Sequence, residues 1–216
     1  MENFYNIEEQ RHWNNKDAFG EDGGDEWSSR FGTTENLYNQ ILKNEVEIYC
    51  KGDGLEIAPG WGRITEYLIP NCNSLSIVDL NEHCIAKCAN RFGKKIKAYY
   101  VNDGKSLTSV PDSSLDFIFS FDSFVHIHFN VFCEYILEFN RVMKEGAYGV
   151  IHHSFFFGGN DNSFKNVGGR ANCNPEELNK ILGENGFEIV SQTTCSVSVW
   201  YEDLQDLITV FRKIKK

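Results

Sequence analysis

The stretch GLEIAPGWGRIT, residues 54–65, joins a short apolar run to two glycines one residue apart and then to an amphipathic segment. Gly60 and Gly62 can turn the backbone sharply and let it approach a ligand closely. Asp79 lies 19 residues after Gly60, a spacing that suits a carboxylate accepting hydrogen bonds from a ribose diol. Glu56 stands just before the loop, where it would repel a pyrophosphate and welcome a cation. The nicotinamide fingerprint wants a third glycine where this chain has Thr65. The pattern points to a ligand with a ribose, a positive centre and no phosphate, and it disfavours a nicotinamide-dependent oxidoreductase.

Further polar residues cluster at the ends of two later apolar runs. His126 and His128 lie in FVHIHF, and His152 and His153 in HHS. Neighbouring strand residues point to opposite faces, so at most one of His152 and His153 faces a shared pocket; we favour His153. Arg170 lies in the glycine-bracketed loop NVGGRANCN, placed to overhang that pocket as an anion clamp. No firm Asp/Glu/His spacing supports a metal site. The seven cysteines are odd in number and contain no C-x-x-C, so reduced, buried thiols are expected.

These residues need a scaffold, and the chain alternates strand and helix from residue 54 onward. Strands are expected at 55–58, 74–80, 97–103, 114–122 and 147–154, and helices at 61–69, 82–92 and 130–144. Asn174 before Pro175 reads as an N-cap followed by proline at the first helical position, with Gly183 or Gly186 as the stop. FEIVSQTTC and DLITVFRKI close the chain as an antiparallel edge pair. Strands separated by helices imply an α/β fold with a mostly parallel sheet and helices on both faces. Residues 1–45 lie outside this alternation and are expected to form a helical cap, with residues 46–216 as the ligand-binding domain. Trp27 in the cap is a candidate to close over the ligand.

The formal net charge is −10, and nine acidic against three basic residues in the first 36 positions supply six of those negative charges. Phosphate backbones need clustered Lys and Arg, so nucleic acid is an unsuitable partner. No apolar run is long enough for a membrane span, and MENFYNIEEQRHW lacks the plan of a secretory leader. A cytoplasmic location is expected.

The motifs together resemble the class I S-adenosylmethionine-dependent methyltransferases over about residues 50–213. LEIAPGWGR is similar to that family's first motif, VDL at 78–80 to its second, and NDG at 102–104 to its adenine-binding turn. LDFIFSFDSFVHI and RVMKEGAYGVIHHS resemble the segments around its fourth and fifth strands. The resemblance implies a Rossmann-like seven-stranded sheet of order 3-2-1-4-5-7-6 and S-adenosyl-L-methionine as cofactor. It implies that Glu56, Ala58, Gly60, Gly62 and Arg63 lie on the methionine side, Asp79 and Leu80 at the ribose, Asn102, Asp103 and Gly104 at the adenine, and Phe121 and Asp122 beneath. Ala58 departs from the glycine of many relatives. His126, His153 and Arg170 would then border the transferred methyl group. The DSFVHIH and HHS segments and the Trp-rich acidic N-terminus are similar to bacterial methyltransferases of surface-polysaccharide pathways. The expected acceptor is a sugar hydroxyl or a phosphate-type group on a glycan precursor; a small-molecule methyltransferase or a non-catalytic cofactor-binding module is the alternative.

Overall fold

The computed structural model describes residues 12–15, 19–156, 169–197 and 205–214. Seven strands form one sheet: β1 (Asp53–Ile57), β2 (Ser74–Asp79), β3 (Ala98–Val101), β4 (Leu115–Phe124), β5 (Met143–Ser154), β6 (Phe187–Cys195) and β7 (Asp206–Lys213). Their order is β3-β2-β1-β4-β5-β7-β6, as expected. The first five run parallel, and β7 is antiparallel to both β5 and β6.

Alternating side chains of the strands feed two cores, one on each face. On one face the helices Phe129–Val142 and Pro175–Glu184 bury Phe132, Tyr135, Phe139, Leu178 and Leu182. On the other, Leu37, Leu42, Val46, Leu68, Cys88 and Phe92 pack on Phe117 and Phe119 of β4. Helix starts follow local capping chemistry. The side chains of Thr33, Asn81 and Asn174 accept from the backbone N–H groups of Asn36, His83 and Glu176.

Three expectations need correction. The helix anticipated at 61–69 is only Thr65–Leu68, because Gly60 and Gly62 hold φ of 58° and 86°, outside the helical region. β4 continues past residue 122 to Phe124, with Asp122 in a left-handed conformation at φ 61°. The N-terminal region is not uniformly a cap. Its helix (Thr34–Leu37, a π-helical stretch Tyr38–Leu42, then Lys43–Tyr49) is part of the core, and residue 45 falls inside it. Among the described residues of this region, those around Trp13, Phe19 and Trp27 sit over the sheet's carboxyl edge. All seven cysteines are free thiols. Among the described residues no helix is long and apolar enough to cross a membrane.

Candidate functional site

Sheet order reverses between β1 and β4, and a cavity of about 1050 Å3, its open mouth included, lies beyond their carboxyl ends. This is where open parallel sheets leave a crevice between diverging loops. β1 exits through Ala58, whose φ of 55° is a conformation that favours glycine. The Ala58 N–H is fixed to the Val78 carbonyl at 2.8 Å. The turn then brings the Gly60 N–H to Asp79 Oδ2 at 3.3 Å, while the Asn81 N–H donates to Oδ1 at 2.8 Å. Asp79 is thereby held at the cavity wall, and burial pushes its pKa up to about 7.

Glu56 also lines the cavity, and burial pushes it up to about 8. Thr65 donates its hydroxyl to Glu56 Oε2 at 2.6 Å. The residue that breaks the dinucleotide fingerprint thus orients the buried carboxylate, a role that the sequence, where it shows only as a missing glycine, does not reveal.

Most of the expected ligand-binding residues surround this cavity. Ala58, Gly60, Arg63, Leu80, Asn102, Gly104, Phe121, Asp122 and Trp27 line it. Asn102 donates from Nδ2 to the Ser106 carbonyl at 2.9 Å and to Tyr135 Oη at 3.0 Å, and accepts from the Gly104 N–H. Tyr135, another lining residue, shows in the sequence only as a core position of its helix. Arg63 is buried between the rings of Trp27 and Phe121, 5.7 Å from each centroid. It donates to Asp122 Oδ2 at 2.8 Å and to Ser28 Oγ at 2.9 Å, tying the N-terminal segment to β4.

Two residues assigned to the cofactor side stand elsewhere. Gly62 turns its Cα towards Phe92, where a Cβ would come within 2.3 Å of the ring, so it serves close helix packing. The exposed Asp103 carboxylate accepts from the Lys105 and Ser106 N–H groups at 3.1 and 2.8 Å. It shapes the turn and is not on the cavity wall. Trp61 also faces away; Lys87 Nζ lies 4.1 Å over its ring.

The N-terminal segment closes the other side. Trp13, Phe19 and Trp27 form an aromatic cluster with centroid separations of 5.6 to 6.0 Å. Asn81 holds this cluster in place by donating to the Trp13 carbonyl at 2.8 Å and the Asn15 carbonyl at 3.3 Å. The Trp13 ring lies 5.1 Å from that of His126.

His126 lines the cavity and its Nδ1 is 2.8 Å from the Gly169 carbonyl. A carbonyl only accepts, so Nδ1 carries the proton and Nε2 the lone pair. Burial, reinforced by the charge of Arg170, lowers the ring's pKa to about 4 and keeps it neutral. His153 does not share this position. Its ring is buried between β5 and β7, with Nε2 2.7 Å from Thr209 Oγ1 and Nδ1 2.9 Å from the Ser154 carbonyl. Arg170 is likewise not an overhanging clamp. It is buried, off the cavity wall, with Nε and Nη2 on the Asp206 carboxylate at 3.0 and 2.6 Å. Among the described residues no group of His, Cys, Asp and Glu is placed to hold a metal.

Residues 55–151 match the family model of the methyltransferase domain. The match makes this segment of the chain a methyltransferase domain, with S-adenosylmethionine the cofactor it implies. Its fold is shared with solved structures of low sequence identity. A SAM-dependent methyltransferase from Leishmania major superposes with a TM-score of 0.69 at 12% identity, covering 96% of this chain and 83% of that one. One from Methanosarcina mazei gives 0.63 at 19% identity, covering 82% and 99%. One from Clostridium acetobutylicum gives 0.60 at 16% identity, covering 88% and 92%. No curated protein sequence matches the chain. The matched methyltransferase segment runs from β1 into β5. Glu56, Asp79, Asn102 and Asp122 fall inside it; Trp13, Trp27, Arg170 and Asp206 fall outside it.

Proposed function

We propose that this methyltransferase methylates a hydroxyl group of a sugar-type acceptor in bacterial surface-polysaccharide assembly. The observation that carries the hydroxyl assignment is the neutral His126 on the cavity wall, with Nδ1 spent on a carbonyl and Nε2 left as an acceptor. An O–H group can donate to such a lone pair; an anionic oxygen cannot. The phosphate-type acceptor loses its main support, since the Arg170 guanidinium is engaged by Asp206. The sugar class rests on the resemblance of the DSFVHIH and HHS segments.

Bound S-adenosylmethionine supplies an electrophilic methyl group on a sulfonium centre. In this reading Asp79 accepts from the ribose hydroxyls and Glu56 faces the cationic amino-acid end. Two buried carboxylates with raised pKa values fit a ligand that brings positive charge and donors to them. Asn102 and Gly104 flank the adenine, with Leu80 and Phe121 supplying apolar wall. Alignment of donor and acceptor is the protein's main contribution. His126 orients the acceptor hydroxyl and takes its proton as oxygen attacks. The Trp13–Trp27 segment is the lid that excludes water.

Incubation with S-adenosylmethionine and a panel of sugar and sugar-nucleotide acceptors, read by mass spectrometry, tests the proposal. A product heavier by one methylene, with equimolar S-adenosylhomocysteine, is expected. Turnover confined to phosphate-type or amine acceptors would overturn the hydroxyl assignment.

A further inference from the structure

Behind His126 runs a chain of buried groups that touches neither cavity nor solvent. Asp206 opens β7 and is wholly buried. Its carboxylate receives Nε and Nη2 of Arg170 at 3.0 and 2.6 Å, and His152 Nε2 lies 3.5 Å from Oδ2. The Asp122 N–H donates to His152 Nδ1 at 3.1 Å, so that nitrogen is bare and the proton is on Nε2, which makes no hydrogen bond among the described residues and meets Asp206 only electrostatically. The His152 ring stacks on Phe121, 4.6 Å between centroids. One carboxylate therefore reaches two segments. One is the left-handed Asp122 turn on the cavity wall. The other is the loop at Gly169–Ala171, whose Ala171 N–H is also tied to the Val125 carbonyl at 2.9 Å.

A buried ion pair contributes little net stability, because desolvation offsets the attraction. What this pair does is geometric. Arg170 follows directly on Gly169, whose carbonyl sets the tautomer of His126. The partner of one ring nitrogen decides which nitrogen is available for chemistry. We propose that Asp206 is a positioning residue: through Arg170 it fixes the Gly169 carbonyl that holds His126 in the Nδ1–H form. The inference rests on reading His126 as the acceptor-side base, but its test does not.

The test is the tautomer itself, read from 15N–1H spectra of the full chain labelled at histidine, with His126 assigned by its loss in His126→Gln. In the wild type His126 is expected as a single Nδ1–H form. In Asp206→Asn the two tautomers should mix, and kcat should fall about tenfold or more, the scale known for losing the outer hydrogen-bond partner of a metal-bound histidine. The Kd for S-adenosylhomocysteine should stay within twofold. Removing one member of a buried pair can unfold a protein. Asp206→Asn/Arg170→Gln, which removes both charges, and Arg170→Lys, which keeps the pair but loses the two-point contact, are read in the same way. An unchanged His126 tautomer in any folded variant of this set overturns the proposal. Mixed tautomers with unchanged kcat would uphold the positioning role and sink the base assignment instead.

Discussion

The two halves of the cavity are built on different plans. The half proposed for the cofactor comes from consecutive strand ends, with Glu56, Asp79 and Asn102 each at or near the carboxyl end of its strand and each held by a bond to a residue no more than nine positions further along the chain. The half proposed for the acceptor is gathered from afar: Trp13 and Trp27 from the N-terminal segment, His126 after β4, and the Gly169 carbonyl from beyond β5. The first half carries buried carboxylates whose pKa values burial raises, and the second a half-buried histidine whose pKa desolvation lowers. A ligand bringing positive charge and hydroxyl donors suits one, and a neutral hydroxyl suits the other. Mutations in the two halves should therefore separate cofactor affinity from turnover.

The largest effect is expected in the acceptor half. His126→Ala should lower kcat by about a hundredfold or more, the usual worth of a general base. Cofactor Kd should be unchanged, and raising the pH should partly restore the rate because solvent hydroxide replaces the missing base. A loss of cofactor affinity instead, seen by calorimetry, would show that the halves are not separable. In the cofactor half, Asp79→Ala should remove charge-assisted hydrogen bonds of about 1.5–3 kcal/mol, weakening S-adenosylmethionine binding roughly tenfold to a hundredfold. Unchanged affinity in that variant would remove Asp79 from the ribose.

The difference in electrostatics gives a third test. The folded, ligand-free protein holds protons on Glu56 and Asp79 up to about 8 and 7, whereas exposed carboxyls release them near 4.5 and 3.8. The folded state binds more protons across that window, so stability should decline as pH rises from about 4 to about 8. A ligand that favours the ionised forms must expel these protons, so cofactor affinity should rise over the same range, by up to about tenfold per pH unit for each proton released. Calorimetry in buffers of different ionisation enthalpy reads the release directly. Glu56→Gln should flatten both trends. Affinity independent of pH between about 6 and 8 would mean that the ligand does not neutralise these carboxylates.

The same contrast explains what could be read without a structure. Asp79 and the Gly60 turn were legible because their spacing is local and repeats a pattern set by sheet geometry. Strand order followed from the resemblance, and the helix cap at Asn174 from residue type alone. The acceptor half was legible only as candidate residues. Nothing in HHS tells that His153 faces Thr209 in the core while His152 faces Asp206, because β5 pairs with a strand about fifty residues later in the chain. Arg170 has an anion partner, but it is Asp206, which in the sequence is merely the first residue of the last strand. Gly62 and Asp103 match the motif by position, yet their directions are set by Phe92 and the turn at Ser106.

A smaller effect should appear where the halves meet. Asn81 both caps its own helix and holds the Trp13 and Asn15 carbonyls. Asn81→Ser keeps a capping oxygen and removes the amide donors. It should speed proteolysis around Trp13 and Trp27 several-fold and raise the acceptor KM more than the cofactor Kd. Equal cleavage of variant and wild type, with and without S-adenosylhomocysteine, would mean that this segment is not a lid.

The smallest expected effect tests whether strain in the cofactor half is put to use. Ala58 has φ of 55° and Asp122 of 61°. Asp tolerates that region and is further held by Arg63, whereas alanine has no such help and costs about 1–2 kcal/mol there. Glycine would remove that cost but lose about 0.5–1 kcal/mol more in chain entropy on folding. The Ala58 methyl also packs against the core cluster of Leu55 and Ile57. Strain relief should outweigh both losses only narrowly, by roughly a few tenths of a kcal/mol, so Ala58→Gly should raise Tm by about 1 °C, on a scale of about 2–4 °C per kcal/mol for a chain of this length. Cofactor affinity should move less than threefold, since the Ala58 N–H stays on Val78 whichever residue is present. A fall in Tm would show that the methyl contact dominates. A rise in Tm with a large loss of affinity would show instead that the strained alanine sets the loop for its ligand, which would bring the cofactor half closer to the acceptor half in how it is tuned.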